Sequence, residues 1–215
     1  MSQHTLTLLR FTYKKLKEKL TVSDSKKLFH EQFPYVIPGL YKRIVDEMLV
    51  ELNLLNHQNE FTKDLLFCIG LTETFKELMK GYKPEKHLDL LFESLCSSTN
   101  FEAGEIKKIS QKSKDEFKDK SSKEILNLIK EKISPKPYPS RILNLGIYIL
   151  FANSKNFKEQ NESEINKMTS DIFEQLGLSH SKAEKDIGLY KASISKLEQA
   201  KELIEELKIK DKKKG

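Results

Sequence analysis

Apolar positions in this chain recur three and four residues apart almost everywhere, the period of helices that bury one face. Leu6, Leu9, Tyr13, Leu16 and Leu20 step in this way with basic residues between them, predicting an amphipathic helix with a cationic face over 6–20. Thr21-Val-Ser-Asp breaks the pattern and places Ser23 as N-cap of a short helix that ends before Pro34. After Pro38-Gly39, Leu40, Ile44, Met48, Leu52 and Leu55 line one face of a helix, widened by Val45, Leu49 and Leu54. A helix over about 63–80 follows, with Gly81 in the place of a left-handed cap. Pro84 stands at the first position of the next, whose face is Leu88, Leu91, Phe92, Leu95 and Cys96.

Residues 101–119 are highly charged, with few apolar anchors beyond Phe101, Ile106, Ile109 and Phe117, and the pattern does not establish a helix there. Ser121 and Glu124 form a capping box ahead of Ile125, Leu128 and Ile129. Pro135, Pro137 and Pro139 stiffen a connector over 134–140. The segment 141–153 is apolar nearly all round and predicts the most buried helix. Ser163 caps a helix stopping at Gly177, and Ser181 with Glu184 opens a long last helix. Its seam is Ile187, Tyr190, Ile194, Leu197, Ala200, Ile204 and Leu207, close to a coiled-coil stripe with one irregular step. No strand and no internal repeat is predicted. The fold class is all-α: a basic amphipathic extension (1–20), a compact multi-helix domain (21–178), then a long C-terminal helix of coiled-coil character with a basic tail (179–215).

Composition sharpens this picture. Hydrophobic residues are 38% and charged residues 33%, against roughly 45–50% and about 25% in ordinary globular chains. Narrow apolar stripes therefore serve helices with broad solvated faces. The net charge of +6 sits at the two ends: Arg10, Lys14, Lys15, Lys17 and Lys19 oppose only Glu18, and Lys208, Lys210, Lys212, Lys213 and Lys214 oppose only Asp211. The body between is slightly acidic, which disfavours a nucleic-acid partner, since such domains carry a basic stripe on the folded body. Basic ends fit an anionic membrane surface or an acidic partner; they also serve as plain solubilising ends. Cys68 and Cys96, far apart and each in an apolar run, read as buried hydrophobes of a reducing compartment. No stretch reaches the roughly 18 apolar residues of a membrane span, and no secretory signal is evident.

The motifs of catalysis are missing. Neither G-x-G-x-x-G nor G-K-[ST] nor H-E-x-x-H occurs, and the five histidines fall on unrelated elements. Asp46, Glu47 and Glu51 form one carboxylate cluster, but no Glu-x-x-His completes a two-metal set, and Lys42 and Arg43 stand four residues before Asp46 and Glu47. No catalytic residue, metal or cofactor is expected, and the protein reads as non-enzymatic. Two elements remain for binding. The N-terminal helix either lies on an anionic bilayer, with Leu6, Leu9, Arg10, Lys14, Lys15 and Leu16 facing it, or docks on its own protein. The C-terminal helix either pairs with a partner helix or folds back. Tyr41, Tyr82 and Tyr138 are candidate exposed aromatics.

The run Tyr41-Lys-Arg-Ile-Val-Asp-Glu-Met-Leu-Val-Glu-Leu-Asn-Leu-Leu55 resembles the signature helix of the thylakoid formation (photosystem II biogenesis) family. Thr21-Val-Ser-Asp-Ser-Lys26, Phe75 with Met79-Lys-Gly-Tyr-Lys-Pro84, Tyr138-Pro-Ser-Arg141 with Gly146, and Asp186-Ile-Gly-Leu-Tyr190 continue in the family's order over about 21–207. The resemblance implies a nearly all-helical protein with a long C-terminal helix, peripheral on the cytoplasmic side of the thylakoid. It also implies a role in photosystem II assembly and maintenance, with an FtsH-type membrane protease and photosystem II assembly components as partners. The candidate partner surface is Tyr41, Arg43, Glu47, Glu51, Tyr82 and Arg141. Residues 1–20 are Lys-rich rather than Ser-rich like a plant transit peptide, which implies a cyanobacterial member. A helical pigment- or lipid-binding carrier at the thylakoid is the alternative role, and it requires a large apolar pocket.

Overall fold

The computed structural model describes residues 19–133, 137–155 and 162–212. Among these the regular structure is helical, without strands. In chain order the α-helices are α1 (Val22–Gln32), α2 (Gly39–Asn56), α3 (Leu65–Leu78), α4 (Leu88–Ser97), α5 (Ala103–Phe117), α6 (Ser122–Lys132), α7 (Arg141–Ala152), α8 (Glu162–Gln175) and α9 (His180–Lys212). A 3-10 turn, Glu85–His87, leads into α4. Residues 6–18 of the helix expected over 6–20 and part of the proline connector lie outside the described residues, while Lys19 and Leu20 are not helical. The chain divides into two compact units, one of residues up to Phe61 with Lys83–Ala103, the other of Thr62–Tyr82 with Gly104 onward.

In the first unit Thr21, not Ser23, caps α1. Its hydroxyl oxygen accepts from Asp24 N–H at 3.1 Å while the Asp24 carboxylate accepts from Thr21 N–H at 3.1 Å. A complete capping box begins the helix there, which leaves Ser23 inside the first turn. Phe29 and Phe33 are buried and stacked, with ring centroids 5.8 Å apart. The amide of Asn53, buried on α2, donates to Leu20 O at 2.7 Å and Ser25 Oγ at 2.9 Å. These bonds fix α1 against α2 and satisfy a polar group that would otherwise be costly to bury. On α2 the deepest row is Tyr41, Val45, Met48, Leu52 and Leu55 with Leu49 beside it. Leu54, expected to widen this face, is exposed, because the row centres on Tyr41 rather than Leu40.

In the second unit α3 and α7 form the centre. Eight of the twelve residues of α7 are buried, as its all-round apolar pattern predicts. The two helices meet backbone to backbone. A Cβ placed on Gly70 would stand 2.0 Å from Ile142 O, and one on Gly146 would stand 2.1 Å from Leu66 O. Only glycine at both positions permits that approach. Most of the charged 101–119 stretch is helical, from Ala103 to Phe117. Ile106, Ser110, Ser113 and Phe117 form the inward row of α5, and Ser110 shares a 2.6 Å hydroxyl contact with Thr72 of α3. Lys114 pairs with Glu73 of α3 at 2.6 Å.

Ser121 and Glu124 make the predicted capping box, with Ser121 N–H donating to the Glu124 carboxylate at 2.8 Å. Gly81 (φ 80°) and Gly177 (φ 66°) occupy the left-handed region after α3 and α8. Two expected caps are displaced. Ser163 lies inside α8. The last helix starts from Ser179 rather than from a box at Ser181, with Ala183 N–H reaching Ser179 O at 3.1 Å and Lys182 N–H reaching its Oγ at 3.4 Å. The seam of α9 buries Ala183, Ile187, Tyr190 and Leu197, but Ile204 and Leu207 are exposed.

Candidate interaction surfaces

The residues singled out from the sequence fall into separate settings. Tyr41 and Tyr82 are buried, at 4% and 1% exposure, and serve as packing rather than as exposed hot spots. Burial pushes both phenols above the ordinary tyrosine range. Tyr41 is drawn in because it continues the 45/48/52/55 row of α2, and Tyr82 follows the left-handed turn at Gly81, its N–H donating to Met79 O at 3.0 Å. Tyr138 and Arg141 are half-buried. Arg43 and Glu47 do come together, at 2.8 Å, as do Lys42 and Asp46 at 3.2 Å, so i,i+4 pairing accounts for most of the charge of this cluster. Glu51 is half-buried on the same helix. Leu6, Leu9, Arg10, Lys14, Lys15 and Leu16 lie outside the described residues.

At the start of α3, Asp64 and Cys68 are shifted from their ordinary values, beside Lys63 and Glu105. Asp64 caps α3, its Oδ1 accepting from Phe67 N–H at 2.9 Å. Burial raises its pKa against the lowering effect of the Phe67 and Leu66 N–H groups. The Cys68 thiol is pushed up to about 12, by burial first and then by the nearby carboxylate of Asp64, with Lys63 opposing. Such a thiol stays protonated at neutral pH and is a poor nucleophile. Lys63 forms an ion pair with Glu105. Elsewhere in the unit, burial and then the carboxylates of Glu77 and Glu73 raise the Tyr190 phenol. Asn144 donates to the Asp186 carboxylate at 2.8 Å, tying α7 to α9. The Asn144–Asp186 bond and the Lys63–Glu105 pair join separate segments of the unit.

Two apolar groups are exposed, and the first of them escaped the sequence reading. In the first unit the loop Pro34-Tyr35-Val36-Ile37-Pro38 carries Val36 at 92% exposure. Tyr35 stacks on His87 with centroids 3.9 Å apart, above Phe33. The signal was present: three apolar residues between two prolines have no helix to enter. In the second unit α9 carries an exposed apolar group at Leu203, Ile204 and Leu207. Among the described residues no three His, Cys, Asp or Glu side chains are grouped to hold a metal ion. No helix of the described residues is long and apolar enough to cross a membrane.

The class this fold defines is a protein whose described residues form α-helices without strands, joined by helix caps and helix-to-helix hydrogen bonds, with exposed apolar residues at Val36 and at Leu203, Ile204 and Leu207. The model of the family "Thylakoid formation protein" matches residues 21–215, and the chain belongs to that family. It is 79% identical over 199 residues to Protein Thf1 of Prochlorococcus marinus strain MIT 9312, covering 93% of this chain and 99% of the relative. It is 70% identical over 198 residues to Protein Thf1 of Prochlorococcus marinus subsp. pastoris, covering 92% and 98%. The solved structure of Psb29 matches with a TM-score of 0.79 at 25% identity, over 91% of this chain and 98% of that one. The family expected from the Tyr41–Leu55 helix and the motifs after it is thus the family found, in its cyanobacterial form.

Proposed function

We propose that the protein is a non-enzymatic factor in thylakoid membrane biogenesis and in photosystem II assembly and maintenance, acting by binding and stabilising an FtsH-type membrane protease. It works as a peripheral protein on the cytoplasmic side of the thylakoid. The observation that carries this reading is the family match over 21–215, joined to near-complete coverage of the Thf1 relatives. The structure adds a physical rationale. Within the first unit the Asn53–Ser25 bond holds α1 to α2 and Val36 offers an exposed apolar contact; within the second the Asn144–Asp186 bond holds α7 to α9 and Leu203 offers another.

The test is affinity purification of the tagged protein from detergent-solubilised thylakoids, followed by mass spectrometry. An FtsH-type protease enriched over an untagged control, and falling in abundance when the protein is deleted, is the expected result. A preparation without the protease, or one carrying a stoichiometric chromophore or lipid instead, would turn the reading toward a carrier.

A further inference from the structure

The loop between α1 and α2 projects apolar side chains that its own unit leaves uncovered. Pro34, Tyr35, Val36 and Pro38 are exposed, Val36 at 92%, while Ile37 and Leu40 are half-buried. No residue from Pro34 to Leu40 carries a charge. The projection is also constrained. Tyr35 stacks on His87, Phe33 meets the Tyr35 ring edge-on at 5.4 Å, and a proline fixes φ at each end. A side chain presented on such a loop loses little freedom on binding, which lowers the entropic cost of association.

Two observations select what covers it. Among the described residues, none accepts a hydrogen bond from the backbone N–H of Tyr35, Val36 or Ile37. The interior of a bilayer offers no acceptor to such donors, so insertion of this loop into hydrocarbon is costly. The charges that follow the loop on α2, and those ahead of His87, are of both signs and already paired. Lys42 meets Asp46 at 3.2 Å, Arg43 meets Glu47 at 2.8 Å, and Lys83 pairs with Glu85. An anionic leaflet is held by an excess of basic residues. An apolar centre beside polar groups of both signs is instead the make-up of a protein–protein contact.

We propose that residues 34–38 are a docking knob for a second protein, in which Val36 enters a small apolar pocket and hydrogen-bond acceptors beside that pocket take the N–H groups of residues 35–37. Main-chain bonds then give affinity and the pocket gives specificity, as in other modes of peptide recognition. The proposal rests on the protease reading for the identity of the partner and adds the surface that meets it.

The test titrates a purified, detergent-solubilised FtsH-type complex with the full chain. V36D weakens binding by about tenfold or more, with the melting midpoint unchanged because the side chain is exposed. L189D, an equally drastic change at an exposed leucine of α9, leaves binding unchanged. Rising salt weakens the wild-type complex little, since the contact is apolar. Val36→p-benzoylphenylalanine crosslinks to a protease subunit on illumination.

Wild-type binding matched by V36D overturns the knob and leaves the protease reading standing. A wild-type chain that does not bind the complex overturns both. A crosslink to a second copy of this chain instead of the protease overturns the knob, as does a loss of binding to anionic vesicles in V36D, which would make the loop a lipid anchor.

Discussion

A single methyl group at the α3–α7 crossing tests how that contact is made. Gly146→Ala would put its Cβ 2.1 Å from Leu66 O, a backbone atom that moves only with its helix. We expect a loss of about 3 kcal/mol, the upper end of overpacking effects, read as a lower urea midpoint with unchanged m. Gly188→Ala is the control, since a Cβ at that position within α9 would meet nothing within 4 Å. It should gain about 0.5–1 kcal/mol from helix propensity and a restricted unfolded chain. Asp64 gives the pH test. Burial raises its pKa in the folded state above that in the unfolded chain. Its contribution is thus greatest at pH below the unfolded carboxyl range and is lost as pH rises through the folded value. Asp64→Asn keeps an oxygen for Phe67 N–H, as asparagine caps about as well as aspartate. The variant should be the more stable protein at pH 7, with the advantage shrinking toward pH 4. Parallel midpoint-versus-pH curves for the two proteins would show that the carboxyl is solvated.

At the scale of elements, helices with a clear apolar stripe were legible in advance. The α2 stripe, the all-round apolar α7 and the Ser121–Glu124 box all form as the pattern implies. The α5 helix was not legible, because two of its inward positions are Ser110 and Ser113, which an apolar count misses. Small hydroxyl residues suit close approach to α3, where Thr72 meets Ser110. The caps of α1 and α9 were misplaced by a few residues for a related reason. Thr21, Ser23 and Asp24, like Ser179 and Ser181, are all competent capping residues, and only the chain's exit direction selects among them. Of the candidate surface, Arg43 and Glu47 are exposed as expected, while Tyr41 and Tyr82 are interior, since a tyrosine's ring and hydroxyl give no sequence signal of which side it takes. The apolar loop at Val36 became visible only with burial known for each residue, whereas Ile204 and Leu207 were already in the predicted α9 seam and burial showed only that its end is exposed.

For the whole molecule the uneven charge predicts how it meets a membrane. Basic residues near an anionic leaflet contribute about 1 kcal/mol each, and physiological salt confines the attraction to about 8 Å. Residues 1–20 also carry Leu6, Leu9, Leu16 and Leu20, whose insertion salt does not reverse. Co-sedimentation with anionic vesicles should give partial elution at high salt for the full chain, and weak, wholly salt-sensitive binding once residues 1–20 are deleted. Equal pelleting after removal of both ends would place the contact in the folded body. The α3–α7 crossing has a temporal consequence as well. Gly70 and Gly146 touch, yet α4, α5 and α6 lie between them along the chain. Closing so long a loop adds entropy cost before the contact rewards it. On the ribosome, α3 emerges with Leu66, Phe67, Ile69 and Leu71 uncovered and waits for α7 to be made. A nascent chain stalled before Arg141 is therefore expected to be a client for chaperones, and one released past Ala152 is not.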